Sequence, residues 1–207
     1  MPTEAELSRR FGVNRHTVRR ALSELEERGL VRAEQGRGTY VQEGVISYPV
    51  AKRTRFSEVI RKQEKSPKGR LLGSDRIAAK SDVASNLKIR PGARVIVLER
   101  MGLVDDVPIS LATHYFPARR FDGLEEEFER RQSITAALKA LGVGDYTRKE
   151  TRVTTRLPTA EEMRWLGLAR NRPVLVAESV NVDESGRPIE YGLARFAGDR
   201  VQIVFEP

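Results

Sequence analysis

Arg15, His16, Arg19 and Arg20 fall on one side of a helical wheel through residues 14–25, and Val18, Ala21, Leu22 and Leu25 fall on the other. A guanidinium on such a face can donate twice to guanine O6 and N7, the chemistry of reading a base pair in a major groove. Asn14, placed to cap this helix, and Thr17 in its first turn suit phosphate oxygens. Gly36-Arg37-Gly38-Thr39-Tyr40-Val41 follows and reads as a tight glycine turn between short strands. Its backbone can approach a groove closely while Arg37 supplies charge. Either piece alone is an amphipathic helix with a wet face or an ordinary hairpin. In this order and at this spacing they make a winged helix-turn-helix, whose partner is double-stranded DNA. The predicted contact set is Asn14, Arg15, His16, Thr17, Arg19 and Arg20 on the helix, with Gly36, Arg37, Gly38 and Thr39 on the wing.

A second set of cations lies downstream. Arg100 sits on a strong hairpin, and Glu190 and Arg195 sit on the last one. Arg148, Glu150, Arg152, Thr154 and Arg156 alternate along one strand, so they are expected to share a face. Thr54-Arg55-Phe56-Ser57 opens a short helix, where backbone N–H groups and the helix dipole favour an anion. A sheet domain offers a concave place for a small molecule, so these residues predict a small anionic effector. Tyr191 and Trp165 are read as core aromatics and His114 as a satisfied strand histidine. The sequence displays no nucleophile elbow, no histidine–carboxylate constellation and no cysteine, so no catalytic residues are assigned and the chain is not read as an enzyme.

The elements that must position these side chains are legible from caps and turns. Thr3-Glu4-Ala5-Glu6 is a capping box, starting a helix that runs to about Phe11, with Gly12 as its breaker. Asn14 starts the second helix and Gly29 ends it. Beyond about Tyr48 the pattern predicts an α+β domain. Its expected parts are a helix near residues 56–63, a strand at 70–78, a short helix from Ser81 and a hairpin of 94–104 with 107–115 around Asp105-Asp106. Ser133 caps a helix over 134–141, residues 146–157 alternate as a strand, and Thr159-Ala160-Glu161-Glu162 is a second capping box. A hairpin of 173–182 with 189–197 and a last strand at 201–205 complete a mostly antiparallel sheet with a few covering helices. The predicted division is a DNA-binding domain at 1–44, a linker at 45–52 and an effector domain at 53–207.

Charge and composition narrow the partners. The net charge is +8, and residues 45–70 alone contribute +6 of it, while the remaining residues after 70 are nearly neutral. A non-specific DNA-compacting protein would spread positive charge throughout, so the distribution argues against that reading. The basic stretch itself fits a phosphate-binding extension, an anion-binding face or a solvated surface equally. No run of apolar residues reaches membrane-spanning length, so no membrane partner is expected. With no cysteine and only His16 and His114 as histidines, a cytoplasmic protein without metal or other cofactor is the economical reading.

The stretch from Pro2-Thr3-Glu4-Ala5-Glu6-Leu7 through Val13-Asn14-Arg15-His16-Thr17-Val18-Arg19-Arg20-Ala21-Leu22, with the wing residues 36–41, closely resembles the DNA-binding domain of GntR-type bacterial regulators. Arg53-Thr54-Arg55-Phe56-Ser57, Pro108-Ile109-Ser110, Pro188-Ile189-Glu190-Tyr191 and Gly198-Asp199-Arg200 resemble the UTRA effector domain of the HutC branch. Within that branch, Asn14-Arg15-His16-Thr17, Tyr48-Pro49 and His114-Tyr115-Phe116-Pro117 look like the PhnF group, repressors of phosphonate-uptake and phosphonate-use operons. The resemblance implies a homodimer whose Arg15 and Arg19 read bases, whose Asn14, His16 and Thr17 touch phosphate or bases, and whose Gly36 and Arg37 enter the minor groove. Ala5 stands where some relatives carry a base-contacting arginine. Relatives also carry a further helix ahead of the stretch matching Pro2, which implies a wing lacking its first helix, through a misassigned start, a truncation or natural loss.

For the effector domain, the resemblance implies an acidic group bound by the 54–57 helix start and Arg100, and a polar part met by Glu190. Arg152, Thr154 and Arg195 complete the expected set. Relatives that bind sugar phosphates show arginine at Gly102 and glutamate at Ala112, so a smaller phosphonate or phosphate ester is expected here. The effector fold of this branch resembles chorismate lyase, which makes a small-molecule lyase or hydrolase the alternative function.

Overall fold

The computed structural model describes residues 1–27, 30–34, 38–41 and 45–205. Gly29, Gly36 and Arg37 lie outside the described residues. The chain divides into two compact units, Met1–Val45 and Ile46–Pro207.

In the first unit, α1 (Glu4–Phe11) begins at the expected capping box: Glu6 N–H donates to Thr3 Oγ1 and Glu6 Oε2 accepts from Thr3 N–H at 2.7 Å. Gly12 ends it in the left-handed region at φ 64°, a conformation that costs a glycine little. Asn14 Oδ1 accepts from Thr17 N–H at 2.8 Å and so starts α2 (Arg15–Glu27). Two antiparallel strands follow, β1 (Val31–Glu34) and β2 (Gly38–Val41). Leu7, Val18 and Val31 form the small core.

The second unit is built on a six-stranded antiparallel sheet ordered β4-β5-β6-β9-β8-β7. Its strands are β4 (Pro67–Ala78), β5 (Arg94–Val104), β6 (Val107–Pro117), β7 (Tyr146–Arg156), β8 (Val174–Asp183) and β9 (Pro188–Ala197). The β5–β6 turn falls on Asp105 and Asp106, both at positive φ, the two-residue hairpin geometry that matches strand twist. The two hairpins join where β6 pairs with β9. On one face α4 (Ser81–Leu87) buries Val83, Ala84 and Leu87, and α7 (Ala160–Leu166) buries Leu166. The opposite face carries α3 (Phe56–Arg61), α5 (Leu124–Arg131) and α6 (Ile134–Ala140), packed on Ile96, Leu98, Phe116 and Phe196.

Two elements depart from the sequence reading. Residues 46–49, inside the stretch expected to be a linker, form β3 (Ile46–Pro49), which pairs in parallel with β10 (Val201–Val204) apart from the main sheet. Ile46 and Tyr48 are buried there, so this segment belongs to the effector-side core. The second is α5, which was not expected. Its eight residues carry only Leu124 and Phe128 toward the core amid a run of charges, a stripe too thin to stand out.

Candidate functional site

On the first unit, Asn14, Arg15, His16, Thr17, Arg19 and Arg20 are all exposed on the outer face of α2, and Val18 beneath them is buried. Asn14 Oδ1 is occupied at the helix start, accepting from the Thr17 hydroxyl at 3.1 Å as well as from its N–H. Arg19 is held by Glu4 of α1 in a forked pair, Nε to Oε1 at 3.2 Å and Nη2 to Oε2 at 2.9 Å. That hydrogen bond is also the main cause that holds the Glu4 carboxyl below its ordinary value. Gly38 and Thr39 lie on β2, and Thr39 O accepts from the amino terminus of Met1 at 2.8 Å.

On the second unit, the sheet face under α3 and α6 opens into a cavity of about 360 Å3. Its floor follows from strand pairing. Arg100 on β5 lies opposite Ala112, His114 on β6 opposite Gly192, and Asn181 on β8 opposite Glu190, so these side chains share one face. Five cationic side chains line it, Arg55, Arg61, Arg100, Lys139 and Arg148, against the carboxylates of Glu58 and Glu190. A narrower extension of about 90 Å3 runs beneath Phe56 toward Gly192 and Ala194.

The two innermost arginines differ in how they are held. Arg55 donates to Asp145 Oδ1 at 3.0 Å and lies 4.6 Å from the Tyr146 ring centroid, but its buried Nε has no acceptor. Asp145 also binds Arg53, and this contact first, with the Tyr146 backbone N–H and Arg55, lowers its pKa to about 2. Arg100 has no carboxylate within ion-pair distance among the described residues; its guanidinium lies 5.1 Å from the Phe128 ring and its buried Nε is unsatisfied. Burial pushes its pKa down, and the more distant Glu190 offsets that only in part. A β-carbon on Gly69 would come within 2.3 Å of Arg100 Nη2, so the guanidinium rests on bare backbone.

At the other end Glu190 is 4% exposed, and both of its oxygens are engaged. Oε1 lies 2.5 Å from His114 Nδ1, Oε2 accepts from Asn181 Nδ2 at 2.7 Å, and Asn181 Oδ1 in turn receives Arg148 Nε at 3.5 Å. Burial alone would raise Glu190, but the hydrogen bonds from His114 and Asn181, with the charge of Arg148, outweigh it and hold the carboxyl below its usual value.

Of the residues expected at the effector site, Thr54, Arg55, Phe56, Ser57, Arg100 and Glu190 line this cavity. The Thr54 hydroxyl is spent on the chain itself, accepting from Ala51 N–H at 2.7 Å and donating to backbone carbonyls. Since α3 has only six residues, the arginines rather than the helix end supply the positive field. Arg152, Thr154 and Arg195 lie on the opposite face. A register shift between Arg148 and Glu150 leaves Arg148 opposite Asn181 but puts Arg152 and Thr154 opposite Glu178 and Val176. Arg195 donates to Thr113 Oγ1 at 2.8 Å and lies 3.5 Å from Glu162, beneath α7. The basic stretch is likewise divided: Arg55 and Arg61 reach the cavity, while Lys65 and Lys68 pair with Asp105 and Asp106 of the hairpin turn.

His114 is a satisfied strand histidine as expected, lying on β6, but the expected lack of a histidine–carboxylate constellation is corrected: the β6–β9 pairing joins His114 to Glu190 across 76 residues. Lys139 is a further lining cation that the sequence does not single out, and Arg148 is the arginine of its flagged strand that reaches the cavity. Arg148 sat in the flagged alternating strand, and only the bulge could have separated it from its neighbours.

Residues 1–41 match the family model for bacterial regulatory proteins of the gntR family, and residues 62–202 match that for the UTRA domain. An HTH-type transcriptional regulator of Rhizobium meliloti is 42% identical over the whole chain, covering 85% of that protein. The HTH-type transcriptional repressor PhnF of Mycolicibacterium smegmatis is 32% identical over 97% of this chain and 81% of its own. The crystal structure of PhnF from Mycobacterium smegmatis superposes with a TM-score of 0.75 at 31% identity, covering all of this chain and 91% of that one.

Proposed function

The chain belongs to the GntR-type bacterial regulators that carry a UTRA domain, and from that premise we propose a homodimeric repressor that a small anion releases from its operator. It is a transcriptional regulator of that type. In our reading Arg15 and Arg19 contact bases, Asn14, His16, Thr17 and Arg20 contact phosphate or bases, and Gly36, Arg37, Gly38 and Thr39 form the wing in the adjacent groove. The protein acts in the cytoplasm, where its DNA is, and needs no metal or membrane.

The observation that carries the effector half is Arg100. A guanidinium that is buried, lacks an acidic partner among the described residues and leaves its Nε unsatisfied is costly to maintain unless an anion completes it. Arg55, with its own orphaned Nε, supplies a second donor to the same space. The cavity's size supports a small ligand, and Phe56 limits it further. A β-carbon at Gly102 would fall 2.9 Å from the Phe56 ring and 2.5 Å from Ser110 Oγ, so the arginine of sugar-phosphate-binding relatives would require both side chains to move. That supports a phosphonate or phosphate ester. Arg55 and Phe56 follow β3, which itself starts at the Val45–Ile46 division, so ligand contacts there bear on the stretch of chain that follows the DNA-reading unit.

The test is fluorescence anisotropy with duplexes selected by the protein from a random pool, titrated with methylphosphonate, glycerol phosphate and inorganic phosphate. At least one of these is expected to weaken DNA binding, and DNA is expected to weaken that anion's binding by the same factor. DNA held equally tightly at every anion concentration would overturn the effector half. Equal, selective binding by a folded Arg15→Ala, Arg19→Ala double variant would overturn the DNA half. The His114–Glu190 pair gives the lyase or hydrolase reading one feature it lacked. No nucleophilic side chain is hydrogen-bonded to His114 among the described residues, so the regulator reading keeps the stronger support.

A further inference from the structure

Resting on the reading of this cavity as an effector site, we propose that His114 selects the effector by its uncharged end, requiring a hydrogen-bond donor there, and that Glu190 is a positioning residue acting through His114. The effector class is then a short anion whose far end bears a hydroxyl or amino group.

The argument starts with the protons. An ionised carboxylate only accepts, so Glu190 Oε1, 2.5 Å from His114 Nδ1, fixes the ring hydrogen on Nδ1. Both Glu190 oxygens already accept, Oε1 from His114 and Oε2 from Asn181 Nδ2, and the residue is nearly fully buried, so it offers a ligand little surface. In the neutral ring Nε2 is therefore a bare acceptor, and it has no hydrogen-bond partner among the described residues. His114 lines both the main cavity and its narrow extension.

Next comes the supply of acceptors. Arg55, Arg61, Arg100, Lys139 and Arg148 only donate, both oxygens of buried Glu190 are already engaged, and Glu58 is exposed. Among the charged and imidazole side chains lining the cavity, half-buried His114 thus presents the acceptor atom not already engaged. A ligand group placed against it must bring its own hydrogen. The sheet sets the spacing: Arg100 pairs with Ala112 and Leu98 with His114, so Arg100 and His114 occupy diagonal positions on neighbouring strands. A ligand whose anionic group meets Arg100 and Arg55 has its other end near His114 after a short spacer.

The test compares 2-hydroxyethylphosphonate with ethylphosphonate, which differ only in the hydroxyl, by calorimetry on the full chain, with inorganic phosphate as the anion control. Wild type is expected to prefer the hydroxylated compound by about tenfold or more, the discrimination of a site built to pair a polar group. His114→Phe is expected to abolish that preference while still binding ethylphosphonate. Independently of any variant or ligand, 15N spectra of the imidazoles, of which the chain has only those of His16 and His114, are expected to show the Nδ1–H form for His114. In Glu190→Gln that form is expected to give way to a mixture of tautomers, with a parallel loss of the hydroxyl preference. Equal binding of the two phosphonates by wild type, or an Nε2–H ring, overturns the proposal while leaving the anion site standing. Failure of all three anions to bind overturns the effector reading and this proposal with it.

Discussion

Replacing Arg100 with methionine separates what this residue does for folding from what it does for a ligand. In the free protein the guanidinium is buried without a carboxylate partner, and its Nε lacks an acceptor. An unsatisfied buried donor costs about 1–3 kcal/mol. The contact with the Phe128 ring at 5.1 Å returns about 0.5–2 kcal/mol of that. Arg100→Met removes both contributions and keeps an unbranched apolar stem over Gly69, so the ligand-free variant should be more stable by about 1 kcal/mol. For the unit spanning Ile46–Pro207 this raises its melting transition by about 2–4 °C. Ligand reverses the order. An anion at a hundred times its dissociation constant stabilises wild type by about 2.7 kcal/mol, or about 5–10 °C. The variant should show no such gain. Differential scanning calorimetry with and without a saturating phosphonate measures all four states. A ligand-free variant melting several degrees below wild type would refute the reasoning, since it would mean the buried guanidinium is satisfied within the fold.

Three further outcomes follow from the geometry. Gly102→Ala places a β-carbon against Ser110 Oγ and the Phe56 ring, so it should cost about 1–3 kcal/mol by overpacking and weaken anion binding; an unchanged melting curve with unchanged affinity contradicts the close approach of Phe56. Asp145 is depressed from 3.8 to about 2, so its grip on Arg53 and Arg55 is complete above 3.8 and is lost only as pH falls through about 2; a carboxyl titration by NMR with its midpoint at or above 3.8 would rule this out. Glu4→Gln removes the forked anchor of Arg19 together with a negative charge near the DNA-facing helix, so affinity for random duplex should rise and the preference for selected duplex should fall by about tenfold. Anisotropy at several salt concentrations reads both changes, and an unaltered selectivity would show that Glu4 does not orient Arg19.

The parts of the fold that rest on local chemistry were legible in the sequence. Thr3 with Glu6 and Thr159 with Glu162 each close a capping box as their spacing predicts, because both partners lie within one helical turn. Asp105-Asp106 announces its hairpin for the same reason. Elements stabilised only by distant partners were harder to see. Four residues of β3 look like a linker until Ile46 meets Val201 at the far end of the chain. Likewise the two apolar residues of α5 mean little until Phe128 lies beneath Arg100.

The site shows the same division at finer scale, and one of its errors was avoidable. Glu190 and Arg195 are five positions apart on one strand, an odd number, so simple alternation already places them on opposite faces. Treating both as effector residues ignored that parity, and the structure sets Arg195 against Thr113 and Glu162 instead. Arg152 and Thr154 are a different case. They share parity with Arg148, and only the bulge at Lys149 turns them away, a defect that no residue type in the stretch signals. His114 is the strongest instance, because its role depends on a partner 76 residues away and on the pairing of β6 with β9. Neither residue carries a local mark. What the sequence did supply was a constraint on where to look. Glu190 was already singled out, and a buried carboxylate in a strand must find donors on the strands beside it. The strand paired directly with β9 in the opposite hairpin is β6, and His114 is its one imidazole.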